Sequence, residues 1–328
     1  MEEKKGVAPL EEEEKENLPP SLNGEQKPSK AVEFLADILR GVMIGIAFII
    51  PGFSGGSVAA ILGIYEKLVG AIADIFHQFK KSFLTLLPIL LGMLLGIAAL
   101  IYPIQLGLKH FPIPTVCLFV GLAVGGLPSV AEKIKGKPNW KNCLACLIPL
   151  AVAVSLVFLP TAQQEEGFLF HLNFGGYLLL ILIGMVGSAA LVVPGISGSM
   201  LLLIFGYYNP LVQMVTQSLL QGEQVGICIA VLACTGIGVL IGFFGISVIM
   251  KYCLKKFPRG TYFAILGFIV GSIPTVFYKT AQEANMTFAT LPTSPGYWIA
   301  AVVLLIAGIA LSYSFLVIAR KKEKKKIS

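Results

Sequence analysis

Charge is what this chain has least of. Only 13% of its 328 residues are Asp, Glu, Lys or Arg and 56% are hydrophobic, whereas an ordinary soluble domain is about a quarter charged. Carboxylates are scarcer still over most of the length. Of the 18 acidic residues, Glu2, Glu3, Glu11, Glu12, Glu13, Glu14, Glu16 and Glu25 fall in the first thirty positions. Water is therefore not the main solvent, which excludes a large soluble enzyme and a nucleic-acid binder. The three histidines, His77, His110 and His171, are scattered near segment ends and suggest no ligand set. Cys117, Cys143, Cys146, Cys228, Cys234 and Cys253 lie in or beside apolar stretches and read as small buried hydrophobes. The Cys143-x-x-Cys146 spacing has no second pair or histidine cluster to complete a metal or redox site. No cofactor and no metal is expected.

Residues 1–30 are Glu, Lys, Pro and Asn with almost no large apolar side chain, so they read as a disordered, solvated acidic tail. They do not have the basic start and short apolar core of a signal peptide. From Phe34 onward come ten apolar segments, near 34–50, 56–74, 83–102, 112–131, 142–160, 176–193, 199–219, 225–250, 261–278 and 297–319. Most are long enough for the roughly 20 residues that cross a bilayer as a helix. The pairs around Pro51-Gly52 and Pro194-Gly195 instead run into a Gly/Ser-rich break and out again.

An internal repeat accounts for both breaks. Pro51-Gly52-Phe53-Ser54-Gly55-Gly56-Ser57 matches Pro194-Gly195-Ile196-Ser197-Gly198-Ser199. At the same offset of 143, Gly63-Ile64-Tyr65 matches Gly206-Tyr207-Tyr208. Further on, at an offset of 146, Lys109 and Phe111-Pro112 match Lys255 and Phe257-Pro258. Thr115, Gly121, Val124, Gly125, Pro128 and Val130 match Thr261, Gly267, Val270, Gly271, Pro274 and Val276 in the same way. The chain divides into a first membrane repeat (31–160), a linker (161–173), a second membrane repeat (174–319) and a basic tail (320–328).

Each repeat holds an odd number of apolar segments, five, so the second copy enters the membrane inverted with respect to the first. The basic residues agree with this. One side receives Lys80, Lys81, Lys133, Lys135, Lys137, Lys141, Lys251, Lys255, Lys256, Arg259 and the run from Arg320 to Lys326. The other receives only Lys109 and Lys279. The positive-inside rule then makes both termini cytoplasmic and the loops at 161–174 and 216–224 external. Re-entrant hairpins would bring both Pro-Gly breaks to the midplane, where transporter sites form, whereas full crossings would put them at opposite faces. The expected fold is all-α and polytopic, with two inverted-topology repeats, each a re-entrant helical hairpin plus three transmembrane helices.

A non-helical break at membrane depth survives only where protein or a polar cavity covers its backbone groups. Pro ends the incoming helix, and Gly52, Gly55, Gly56, Gly195 and Gly198 let N–H groups converge. Ser54, Ser57, Ser197 and Ser199 add hydroxyls, and the outgoing half-helix points its positive end into the gap. Together these groups suit an anion, phosphate best. The bland alternative is that small residues simply pack helices closely. Arg40, in an otherwise apolar run, reads either as a phosphate ligand or as a snorkelling residue paired with Asp37 or Glu33. Glu66 is the best carboxylate for proton coupling, or it pairs with Lys67 at the interface. Tyr65 and Tyr208 read as interfacial anchors.

The segment from Gly41 to Val69, with its P-G-F-S-G-G-S and G-I-Y-E, and its partner P-G-I-S-G-S followed by G-Y-Y, resembles the paired signatures of the bacterial polyprenyl-phosphate transporter family. The resemblance covers nearly everything after residue 30. It implies a multi-pass protein of the bacterial cytoplasmic membrane that returns undecaprenyl phosphate from the outer to the cytoplasmic leaflet, recycling the carrier lipid of cell-wall synthesis. Its partners would be the polyprenyl phosphate, the bilayer and a coupling proton or sodium ion. Members commonly carry an acidic residue three before the first Pro-Gly, where this chain has Phe48, and Thr where it has Ser57. Ser57 keeps the hydroxyl, and Phe48 removes a carboxylate from beside the phosphate site. A channel or secondary transporter for a small soluble anion could use the same half-helix ends. An intramembrane enzyme would need a nucleophile with a base, or metal-binding carboxylates, and neither motif holds them.

The topology is testable in a cysteine-free background. A cysteine introduced at position 165 should react with a membrane-impermeant thiol reagent added outside cells, and one at position 137 should not; the reverse pattern refutes the assignment.

Overall fold

The computed structural model describes residues 30–49, 54–134, 139–160, 162, 164, 167–215, 222, 224–286, 292 and 294–327. The acidic tail and the Pro51-Gly52-Phe53 step of the first break lie outside the described residues. Among those residues all regular structure is helical. The first half comprises α1 (Lys30–Ile49), α2 (Gly55–Ile61), α3 (Tyr65–Ala73), α4 (Phe79–His110), α5 (Pro112–Ala131) and α6 (Trp140–Phe158). The second comprises α7 (Phe174–Val192), α8 (Gly198–Ile204), α9 (Tyr208–Gln213), α10 (Val225–Lys256), α11 (Pro258–Glu283) and α12 (Pro295–Ile327), preceded by a 3-10 turn at Phe168–His171.

The repeat in the sequence reappears as a repeat of elements. Helices α2 and α8 have seven residues each, and α4 and α10 have 32 each. What reads as one apolar segment after each break is two short helices, because a left-handed glycine ends the first. Gly63 (φ 71°) and Gly206 (φ 78°) occupy a region that a Cβ disfavours. Both close the same motif. Gly63 N–H bonds Ala60 O and Ile64 N–H bonds Ala59 O, just as Gly206 N–H bonds Leu203 O and Tyr207 N–H bonds Leu202 O, all at 2.9–3.1 Å.

Among the described residues seven helices are long and apolar enough to cross a membrane: α4, α5, α6, α7, α10, α11 and α12. The sequence reading expects six, and the seventh is α7. Its counterpart α1 is set apart by Lys30, Glu33, Asp37 and Arg40. At about 1.5 Å per residue, α4 and α10 reach some 48 Å, well beyond a hydrocarbon core of about 30 Å. Leu94, Leu95, Leu240, Ile241 and Ile306 are among many large apolar side chains left exposed along these helices, a surface suited to lipid. Cys143, in the first turn of α6, is also exposed rather than buried.

Glycine decides which helices pair. Helix α1 runs along α4 and α7 along α10, while α5 pairs with α12 and α6 with α11. The last two pairings cross between repeats, so the halves interlock. Each seam is too close for a side chain. A Cβ on Gly92 would lie 2.0 Å from Ile38 O, and one on Gly238 2.0 Å from Ile181 O. On Gly308 it would lie 2.1 Å from Leu118 O, and on Gly267 2.0 Å from Cys146 O. Between lipid-facing helices there is no hydrophobic drive to associate, so close backbone contact carries the packing. Helices α5 and α11 touch each other at the centre, and the main core gathers Ile44, Ala59, Tyr65, Val116, Ile265 and Ile269 around them.

Two glycines on one helix test this. Gly238→Ala should lower stability by about 1–3 kcal/mol through overpacking. Gly236→Ala, where a Cβ meets nothing within 4 Å, should be neutral or stabilising by about 0.5–1 kcal/mol. Thermal unfolding of the two variants in detergent should separate them, and equal melting temperatures would contradict the seam argument.

Candidate functional site

Where α7 stops at Pro194, its last carbonyls lose their intrahelical donors, because proline has no N–H and the chain turns away. Hydroxyls from the other break meet them. Tyr65 Oη donates to Val192 O at 2.9 Å, and Ser54 Oγ to Val193 O at 3.5 Å. Gly56 lies against the same strand of backbone, where an added Cβ would stand 3.0 Å from Val192 O. The described side of the first break, from Ser54 to Tyr65, and the end of α7 at the second thus form one junction. Tyr65 is 2% exposed and bridges the repeats rather than anchoring at an interface. Tyr208, its sequence counterpart, stays on the surface at 39%.

The first break is the buried side of the junction. Ser54 and Ser57 are 4% and 1% exposed, and Ser57 Oγ has no hydrogen-bond partner among the described residues. Gly55 leaves room for the Phe48 ring, 2.8 Å from where its Cβ would be. Phe48 therefore packs on the first turn of α2. Gly52 lies outside the described residues. The second break packs its glycines tightly but leaves its serines more open. Gly195 takes a left-handed φ of 83° and presses on α11, its Cβ position 2.5 Å from Phe268 O. Gly198 sits on Gly187 O, at 2.6 Å. Ser197 and Ser199 bond each other at 3.0 Å, half-buried and exposed respectively.

Arg40 and Glu66 are not brought to this junction. Arg40 is about 14 Å along α1 from its last residue and bonds Asp37 Oδ1 at 2.9 Å. Asp37, 3% exposed, also receives Lys67 Nζ at 2.5 Å, and Lys67 reaches Glu33 at 3.4 Å. Glu66 accepts from Tyr262 Oη on α11 and lies 3.8 Å from Lys133 Nζ. Asp74, just past α3, pairs with Lys251 on α10 at 2.5 Å. Helix α3 and the turn after it are thus tied by charge to α1, α10 and α11. Sequence reasoning missed Tyr262, Asp74 and Lys251 as partners, because each contact joins residues far apart in the chain.

A family model described as undecaprenyl phosphate translocase-like matches residues 44–291. The chain belongs to this family. It is 30% identical to a polyprenyl-phosphate transporter of Staphylococcus aureus over 279 residues, covering 84% of this chain and 94% of that protein. It is 26% identical to a polyprenyl-phosphate transporter of Vibrio cholerae over 316 residues, 86% of this chain and 96% of that one. No solved structure matches. The span shared with the undecaprenyl phosphate translocase-like family takes in both breaks and the Gly-x-Tyr turns. It begins after Arg40, so the Glu33–Asp37–Arg40 face of α1 precedes it.

Two substitutions separate structural from ligand roles in that cluster. Asp37→Asn leaves two cations facing one neutral amide and should cost on the order of 2 kcal/mol, below the 3–5 typical of a fully buried pair, because Arg40 and Lys67 each keep 34% of the side chain exposed. Arg40→Lys can hold the same pair and should melt like the wild type. Should Arg40→Lys melt normally and yet lose transport, the guanidinium would be contacting the substrate as well as Asp37.

Proposed function

We propose that the protein is a transporter of a polyprenyl phosphate of the undecaprenyl class, carrying it from the outer to the cytoplasmic leaflet of the bacterial cytoplasmic membrane for reuse in cell-wall synthesis. It acts without chemistry on the lipid. The relatives' names support the substrate, and the duplicated hairpin supports a carrier whose two halves are inverted about the midplane. Helices α1–α2 and α7–α8 are the re-entrant hairpins, and both termini are cytoplasmic.

The observation that carries this reading is the Ser57 hydroxyl. It is buried beside the meeting of the two breaks and lacks a partner among the described residues. Leaving a buried donor unsatisfied costs about 1–3 kcal/mol, so such a group is retained for something other than stability. A phosphate oxygen entering the junction accepts from Ser57 and Ser54. Gly52, Gly55 and Gly56 let it approach the backbone closely, and Gly195, Ser197, Gly198 and Ser199 close the site from the second repeat. The isoprenoid tail stays in lipid. In this arrangement Arg40 serves the ion-pair cluster, and Glu66, linked to Tyr262, is the group through which a proton or sodium ion is coupled.

Ser57→Ala carries the test because its two effects have opposite signs. A hydrogen bond to a charged group is worth about 1.5–3 kcal/mol, so transport of labelled undecaprenyl phosphate into proteoliposomes should fall roughly tenfold or more, at about 1.4 kcal/mol per decade. The melting temperature should stay level or rise. Wild-type transport by Ser57→Ala removes the hydroxyl from the site. Uptake of free phosphate in place of the lipid makes the protein a soluble-anion carrier.

A further inference from the structure

Helix α3 has nine residues, fewer than the roughly 12 to 15 at which an isolated helix becomes marginal in water. Its place is therefore set by what holds it. Tyr65, Val69, Ile72 and Ala73 are buried and recur at the three- and four-residue spacing of one helix face, and the helix lies along α10. Among the described residues three polar contacts fasten it to the second repeat. Tyr65 Oη donates to Val192 O on α7 at 2.9 Å, Tyr262 Oη on α11 donates to Glu66, and Lys251 Nζ on α10 donates to Asp74 at 2.5 Å. The first and the last sit at opposite ends of the helix, so α3 is clamped along its whole length.

Its counterpart is held differently. Helix α9 has no buried residue and no charged one, and Tyr208, which stands where Tyr65 does, is 39% exposed. One copy of the element is clamped and the other is loose. In carriers built of inverted repeats the halves rock against each other about a central site, so one end closes as the other opens. A helix held between the repeats at one end only is what the closed side of such a carrier presents. The clamp also reaches the junction. Tyr65 and Glu66 are consecutive, so the residue bonded to α7 and the residue bonded to α11 move as a unit, and α3 cannot leave α10 and α11 while Tyr65 stays on Val192.

We propose that α3 is a latch, closed in this structure by Tyr65, Glu66 and Asp74, and that Tyr65 is the positioning residue that ties its release to occupation of the junction. A phosphate that draws Ser54 from Val193 O loosens the same stretch of α7 backbone that holds Tyr65, and α3 then parts from α10 at Asp74. On the proposed topology this is the cytoplasmic end, where release lets the headgroup leave. The inference rests on the polyprenyl phosphate reading for the identity of the trigger, while the latch rests on the contacts themselves.

A thiol buried under α3 reports the latch, because it reacts when the helix opens and its rate follows the open population. Val69, 1% exposed, is replaced by cysteine in the full chain in detergent, with Cys228, fully buried in the second repeat, kept as the one other thiol. N-ethylmaleimide should modify position 69 slowly, and farnesyl phosphate should speed the reaction where farnesol does not. Asp74→Asn and Lys251→Gln, at a pair that keeps 35% and 43% of its side chains exposed, should each speed it about two- to fivefold and leave Cys228 unchanged. The exchanged pair, Asp74→Lys with Lys251→Asp, should restore the slow rate. Tyr65→Phe should raise the rate roughly two- to tenfold through the loss of one hydrogen bond and abolish the response to farnesyl phosphate. An equal rise at both thiols is general loosening and overturns the latch, as does an unchanged rate at position 69 in the charge variants and Tyr65→Phe. A rate at position 69 that neither farnesyl phosphate nor inorganic phosphate alters overturns the tie to the junction, and where farnesyl phosphate nonetheless binds, the lipid reading stands. Acceleration by inorganic phosphate with farnesyl phosphate inert keeps the latch and overturns the lipid as its trigger.

Discussion

Two broken helices complete each other at the centre of this protein. The last carbonyls of α7, left without donors by Pro194, take the hydroxyls of Tyr65 and Ser54 from the opposite repeat. In hydrocarbon each such carbonyl would cost several kcal/mol if left alone. The second break could therefore not persist without the first, or without something that replaces it. On the proposed function, admitting the phosphate to the junction would exchange these contacts for contacts to the ligand.

Around this junction the repeats hold each other by exchanged helices rather than by a flat interface. Helix α5 of the first repeat pairs with α12 of the second, and α11 with α6. Glycine brings backbone onto backbone along each seam, which gives rigid pairs at low side-chain cost. Rigid pairs are suited to move as units about the hairpins, because packed interfaces rearrange between discrete states and do not deform smoothly.

The two halves differ most in charge. Helix α3 and the turn after it carry Glu66, Lys67 and Asp74, all engaged in ion pairs or hydrogen bonds to other helices. Helix α9, its counterpart, is Tyr-Asn-Pro-Leu-Val-Gln and has no charge. One end of the molecule is therefore fastened by electrostatics. The other has an open cleft between the α4–α5 corner and the start of α12, with Lys109 and His110 on its wall. On the proposed topology the fastened end is cytoplasmic and the open one external, a resting asymmetry that suits a carrier collecting an anionic headgroup from outside.

Much of the architecture was legible in the residues alone. The apolar lengths, the prolines and the offsets of 143 and 146 anticipate the helices, and α5 at 112–131 falls where its segment was read. The matching breaks foretell two special turns and the chemistry of glycine and serine within them. The sequence brings both breaks to the midplane, but the bonds that join them were not legible, nor was the burial of Tyr65 or the bond between Asp37 and Lys67 thirty residues on. The reason is physical. In a soluble helix the apolar stripe marks the core, but here lipid and core both take apolar side chains, so hydropathy cannot tell an inward face from an outward one. Sequence determined which stretches are helices, where they break and that the unit is used twice. Tertiary packing alone decided which helices share a glycine seam and which polar groups are left without a partner, because both depend on backbones coming within a few ångströms across a hundred residues of chain.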